Sequence, residues 1–277
     1  MMDAATIWTI TRKEFRDAQR SRWVTLLAAM FAVLSLALSA LGLSSLGTIG
    51  ITGFGRTAAS LLNLVLLLVP LMGLLMGAVS VSAEREQGTL VTVMAQPVTP
   101  SEVLLAKFLG ASMALVTAIS LGFGLSGLVI VRGSGVSQLS VYLNLVGLTF
   151  LLGIVHVGIG VCLSVMARRS ATAIGLAVFV WLFVAFLSDL GVMGTSIVLR
   201  LTPAQLLWVC LGNPAQLFKL AAIHALHGNL ELLGSSGLYA VSVLGHWLLP
   251  VLVLLLVFWV LLPLAAAFHI FHRQGAL

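Results

Sequence analysis

Six apolar runs free of Asp, Glu, Lys and Arg set the outline of the chain: Trp23 to Leu43, Ala58 to Ala83, Phe108 to Val131, Val141 to Ala167, Ala171 to Ser188 and Trp247 to Phe268. A hydrocarbon core of about 30 Å takes roughly 20 helical residues to cross, and each run is of that order. Leu, Val, Ala and Gly fill the runs without the strict alternation of barrel strands. The pattern therefore predicts an all-α integral membrane protein with six transmembrane helices. The first run is no signal peptide, because the charged segment Asp3 to Arg22 precedes it and no small-residue cleavage site follows.

The polar stretches between the runs divide into plain turns and longer elements. Gly42 to Gly55 is a Gly/Ser/Thr-rich loop, Arg132 to Ser140 a short one, and Arg168-Arg169-Ser170 a tight turn. Before the first run, Ile7, Trp8, Ile10 and Phe15 interleave with Arg12, Lys13, Glu14, Arg16 and Asp17 at helical spacing. That predicts an amphipathic interfacial helix over residues 1–22. Residues 84–107 carry Glu84-Arg85-Glu86-Gln87-Gly88-Thr89, Pro97, Pro100, Glu102 and Lys107, more charge and structure than a connection of two neighbouring helices needs. Something is expected to dock there.

The segment 191–245 is the longest without a span. Ile197 to Leu211 is apolar but short and carries Arg200 and Pro203, whereas Asn213-Pro214 is a strong helix start. Beyond it Leu217, Phe218, Leu220, Ala221 and Leu226 alternate with Gln216, Lys219, His224 and His227. Short external helices lying in or re-entering one leaflet are expected before the last span. No boundary separates a second domain, so residues 1–277 read as one unit.

Composition and charge then fix the setting. The chain is 60% hydrophobic and 8% charged, with a mean hydropathy of +1.17, a surface that water would not tolerate. Six spans put both termini on one side, together with Arg12, Lys13, Arg16, Arg20, Arg22, Arg85, Lys107, Arg168, Arg169 and Arg273; the opposite side has Arg56, Arg132, Arg200 and Lys219. Lys and Arg concentrate on cytoplasmic loops, so both termini are expected in the cytoplasm of a bacterial inner membrane. The net charge of +6 is then a topology signal with attraction to the lipid bilayer, and no nucleic-acid partner is expected. Cys162 and Cys210 give no disulfide framework.

Few residues carry chemistry. Gly122-Phe123-Gly124-Leu125-Ser126-Gly127 fits GxGxxG but lies inside an apolar span, where glycines ordinarily let helices approach; Gly73 and Gly77 read the same way. No G-x-x-x-x-G-K-[ST] occurs, so Walker-type ATP binding is not expected of this chain. His156 is an ionisable residue in mid-span and a candidate polar site. His224/His227 and His269/His272 are spaced three apart, as on one helix face, but two imidazoles without a third ligand do not make a metal site. Pro70, Pro250 and Pro263 are expected to kink their helices. No catalytic cluster, metal site or cofactor is expected.

These residues also carry a resemblance. Ile7 to Phe15 (I-W-T-I-T-R-K-E-F), Arg20 to Trp23, Glu84 to Leu90 (E-R-E-Q-G-T-L), the Pro97/Pro100 turn and Leu104 to Gly110 (L-L-A-K-F-L-G) resemble membrane subunits of type-2 ABC exporters. Gly53 to Leu61 and Gly212 to Ala221 are similar to the branch that serves nitrous-oxide-reductase maturation. The resemblance implies a half-transporter with an elbow helix, pairing with a second copy of itself and with two copies of a separate cytoplasmic ATPase. It implies that Glu84, Arg85, Glu86, Gln87, Gly88, Thr89, Pro97 and Pro100 form a coupling segment whose acidic residues meet basic groups on that ATPase. It also implies a periplasmic accessory protein (NosD-like), with Asn213, Pro214, Lys219, His224 and His227 as contacts, and a supporting role in copper-site assembly. The alternatives are a type-2 exporter of lipid, drug or polysaccharide, and a self-standing secondary transporter, which would show intramembrane charges or repeated broken helices.

Overall fold

The first helix, α1 (Ala4–Arg20), begins where the Asp3 side chain accepts the Ala5 amide at 3.1 Å and the Thr6 hydroxyl at 2.7 Å. One residue on, Ser21 breaks the helix with extended backbone, and α2 (Arg22–Ser44) turns into the membrane. The structure is a computed structural model that describes residues 3–44, 51–134, 139–198, 202–226 and 234–274, and all regular elements among them are helical. Besides α2, the long apolar helices are α3 (Ile51–Glu86), α5 (Pro100–Ser134), α6 (Leu139–Met166) and α11 (Leu248–Gln274). Among the described residues α7 (Ser170–Val198) is apolar over the shorter stretch Ser170–Ala185. The protein is an all-α integral membrane protein.

The helices overrun the apolar runs that announced them. α3 starts at Ile51, inside the stretch read as a loop, and ends at Glu86; α5 starts at Pro100, eight residues before its run. α7 continues through Gly191 to Val198, into what was read as the external segment. Hydropathy marks the thickness of the bilayer, whereas the backbone keeps bonding until a cap or breaker stops it. Pro70 and Pro263 lie inside α3 and α11, which run on past them. Pro250 does not interrupt its helix: it sits in the first turn of α11, where its missing N–H has no partner to lose.

The central packing is α3 against α6. The two glycines read as an approach motif do that work, for Gly73 faces Gly153 and His156, and Gly77 faces Val157 and Gly160. A Cβ on Gly160 would stand 2.5 Å from the Leu74 carbonyl oxygen, so the two backbones touch. Ser164 ties the pair further, its hydroxyl oxygen accepting the Val81 and Ser82 amides at 3.0 and 2.8 Å. Two of the GxGxxG glycines also serve packing: Gly122 lies against the Phe31 ring and Gly127 against Tyr142, whereas Gly124 faces open space. Phe31, Phe123 and Tyr142 stack edge to face, and the Tyr142 hydroxyl donates to the Phe123 carbonyl at 2.6 Å.

At the end opposite α1, α8 (Pro203–Leu211) and α9 (Pro214–Ala225) meet at 111°, followed by α10 (Gly234–Leu244) and a short 3-10 turn, Gly245–Trp247. Asn213 caps α9 as expected, accepting the Ala215 amide at 2.9 Å. Thr202 and Gln205 form a reciprocal capping box at the start of α8. The Trp259 indole donates to the Leu211 carbonyl at 3.4 Å, eleven residues into α11. At about 1.5 Å per residue that is about 17 Å, so the bend lies well inside the bundle, the geometry of a broken span or a re-entrant loop.

Candidate coupling site

At the α1 end, three consecutive residues finish α3, and each is bonded to a different neighbour. Glu84 accepts from Lys13 of α1 at 2.8 Å and lies 2.8 Å from Lys107 Nζ of α5. Arg85 Nη1 donates to the Val165 and Ala167 carbonyls at 2.8 and 3.1 Å, closing the end of α6. Glu86 accepts the Ser170 amide at 2.9 Å, at the start of α7. The end of α3 is thus the point where α1, α5, α6 and α7 are joined.

Glu84 belongs to a closed ring of alternating charge. Lys13 Nζ lies 2.8 Å from Glu84 Oε1 and 3.2 Å from Glu14 Oε1, while Lys107 Nζ lies 3.0 Å from Glu14 Oε1 and 2.8 Å from Glu84 Oε2. The Lys107 side chain is 1% exposed and its two carboxylate partners 13% and 16%, so the amine is enclosed between the two carboxylates. Burial acts against the charge on Lys13, but Glu84 and Glu14 outweigh it and hold that amine above its ordinary pKa. Two lysines and two glutamates leave the ring neutral.

The seat of α1 on α5 completes the junction. A Cβ on Gly110 would stand 2.5 Å from Glu14 Cβ and 3.0 Å from the Thr11 carbonyl oxygen, so α1 crosses α5 at a residue without a side chain. Thr11, buried at the crossing, donates to the Ala106 carbonyl at 3.4 Å. Glu102 ties the other end of α1: one carboxylate oxygen accepts the Asp3 amide at 2.7 Å, the second the Thr99 amide at 2.7 Å. With the Thr99 hydroxyl accepting the Glu102 amide at 3.3 Å, Thr99 and Glu102 cap α5, and Pro100 takes the first helical position.

Between these anchors hangs a short projection. Gly88, at φ +73° and ψ 0°, turns the chain out of α3 in the left-handed region. The helix that follows, α4 (Thr89–Met94), buries only Leu90. Gln87, Gly88, Thr89, Val91, Thr92, Gln96 and Pro97 are exposed.

This placement changes the expectation in two respects. Residues 84–86 are the last of α3 and 100–107 the first of α5, so the free projection is 87–99. Glu84 is also committed to lysines of its own chain and is not held out to a partner. Sequence reasoning missed Lys107, Lys13, Glu14 and Gly110 as a unit. The motif stretches Ile7 to Phe15 and Leu104 to Gly110 contain all four, which is the signal that could have found them.

The remaining candidates lie elsewhere. His156 is buried in α6, its Nδ1 2.8 Å from the Leu152 carbonyl. A carbonyl only accepts, so the proton is on Nδ1, and Nε2 has no hydrogen-bond partner among the described residues. Asn213 and Pro214 are not at an outer surface: Pro214 is buried, and both sit at the re-entrant bend beside Trp259, Pro263 and Phe183. Lys219 lies higher on α9 near Asn63, Leu66 and Ala185, and His224 is half-buried in its last turn. His227 falls outside the described residues. Among the described residues no three His, Cys, Asp or Glu converge as a metal would require.

The fold is a bundle of five to six candidate membrane spans, with a short first helix packed on its end and a capped polar projection between the second and third long helices. The chain belongs to the ABC-2 family transporter proteins, whose model matches residues 8–276. It is 32% identical to the Pseudomonas aeruginosa protein named "Probable ABC transporter permease protein NosY", over 97% of this chain and 98% of that one. It is 31% identical to the protein of the same name from Stutzerimonas stutzeri, again over 97% and 98%. The protein is therefore a multi-pass inner-membrane permease subunit of an ABC transporter, a class that is not itself catalytic and that implies an ATPase partner.

Proposed function

We propose that the chain works as half of a transporter, two copies pairing with two copies of a separate cytoplasmic ATPase, in the system that matures the copper sites of nitrous oxide reductase. The α1 end, which carries most of the Lys and Arg, faces the cytoplasm. Residues 87–99 seat in a cleft of the ATPase. Closure of the ATPase pair on ATP pushes α4, and the push reaches the membrane through the end of α3. The observation that carries this reading is the Glu84-Arg85-Glu86 junction: a displacement of α3 there moves α1, α5, α6 and α7 with it, because each is bonded to one of those three side chains.

The opposite end, built from α8, α9 and α10, faces the periplasm and engages an accessory protein of the NosD kind. Lys219 and the α9 surface around His224 offer contacts nearer that face than Asn213 and Pro214 do. ATP hydrolysis resides on the ATPase and copper binding on the partner proteins, with this chain transmitting motion. The test is complementation. In a strain lacking its own permease of this system, the chain should restore copper loading of nitrous oxide reductase, and only when the ATPase and the accessory protein are present. Restoration without the ATPase, or none from a chain shown to be inserted, would overturn the reading.

A further inference from the structure

Beside the ion-pair ring, a cavity of about 420 Å3 opens between α1, the start of α2, α3 and α4. Its floor, from Met76 and Val79 of α3, is apolar, while Lys13, Glu14 and Glu84 of the ring line it together with Asp17, Ser21 and Gln87 toward the mouth. Met76 lies ten residues before Glu86 at the end of α3, about 15 Å along the helix axis, so the floor is at acyl-chain depth and the mouth at headgroup depth. The cavity's shape and polarity suit one amphiphile.

Charge selects which one. The ring of Lys13, Glu84, Lys107 and Glu14 neutralises itself. Asp17 at the mouth is 58% exposed, and its Oδ2 stays 3.8 Å from Lys13 Nζ, beyond hydrogen-bonding distance. The mouth therefore sets an exposed carboxylate, only loosely paired with Lys13, beside the Ser21 hydroxyl.

We propose that the cavity binds one phospholipid of that leaflet with a primary-amine headgroup, of the phosphatidylethanolamine class. Its ammonium donates to Asp17, its phosphate turns toward Ser21 and Lys13, and its first methylenes lie on Met76 and Val79. A trimethylated headgroup has no N–H to give Asp17, and an anionic headgroup of the phosphatidylglycerol class lacks the ammonium and meets Asp17 and Glu84 with its own charge. The bound lipid fixes the spacing between α1 and the α3–α4 corner.

Native mass spectrometry of the full chain, purified from membranes in mild detergent, reads the site directly. One phosphatidylethanolamine per chain is expected on the wild type. Asp17→Asn, at an exposed position, should lower its retention about tenfold, the worth of one charge-assisted hydrogen bond. Replacing phosphatidylethanolamine by phosphatidylcholine in titrations of the wild type should weaken binding by a similar factor, with no variant that could misfold. Val79→Trp, filling the floor, should abolish retention, while Leu121→Trp on another lipid-facing surface leaves it unchanged. No retained lipid, a retained lipid that is anionic, or equal retention by Asp17→Asn would overturn the proposal. So would a disulfide between Val79→Cys residues of two copies, which would show a second chain seated there.

Discussion

Replacing Glu84 by Gln removes one of two carboxylates from a lysine that is 1% exposed. Lys107 then keeps only Glu14 Oε1, at 3.0 Å, and the ring carries a net positive charge. Stripping a buried charge of its sole partner costs about 3–5 kcal/mol, and because Glu14 remains we take about 2–3 kcal/mol for Glu84→Gln. Lys107→Met leaves Glu14 and Glu84 to Lys13, which is 53% exposed and draws on solvent; about 1–2 kcal/mol is expected. The double variant removes both the buried cation and one anion and leaves a Lys13–Glu14 pair. Its cost should fall about 2 kcal/mol short of the sum of the single variants. Reversible unfolding in bicelles, read by a steric trap on the full chain, gives the three free energies. Additivity within about 0.5 kcal/mol would refute the claim that this ring holds α1, α3 and α5 together.

Three further outcomes follow from particular contacts. Gly160→Ala places a Cβ 2.5 Å from the Leu74 carbonyl oxygen and should destabilise the chain by about 1–3 kcal/mol, seen as a lowered unfolding midpoint; an unchanged midpoint would mean α3 and α6 stand farther apart. Trp259→Phe gives up only a long 3.4 Å hydrogen bond to Leu211 and should cost no more than about 1 kcal/mol; a loss several times larger would make that bond the anchor of the re-entrant bend. A cysteine at Ser235 should react with an impermeant thiol reagent from the periplasm of intact cells while one at Gln87 does not, and the opposite pattern would reverse the orientation.

Much of this architecture was legible in the chain, and what was not has a common cause. Charge-free runs give the long helices, because the bilayer demands roughly constant apolar length, and the Asn213-Pro214 start of α9 follows from local capping. Gly73 and Gly77 were readable as an approach because their spacing is a one-helix property. The ring was not, since Lys13, Glu84 and Lys107 are far apart in sequence and only the crossing at Gly110 brings them together. For the same reason the acidic residues at 84 and 86 looked like charges offered outward, when one is paired inside the chain and the other caps α7. The depth of Asn213 and Pro214 depends on their packing against Trp259 and Pro263 of α11, which no local pattern states. Pro250 was read as a kink although the run starting at Trp247 already put it in the first helical turn, where proline is tolerated.

The central claim is that the exposed projection 87–99 receives the ATPase while residues 84–86 pass its motion on. Val91 tests it most directly, being 55% exposed on α4 and committed to no contact that holds the fold. The measurement is co-purification of the cytoplasmic ATPase with Val91→Asp, together with ATP turnover of whatever remains bound. The account predicts that the variant inserts and keeps the wild-type unfolding midpoint but loses the ATPase. An ATPase that stays bound to Val91→Asp with unaltered turnover would contradict it.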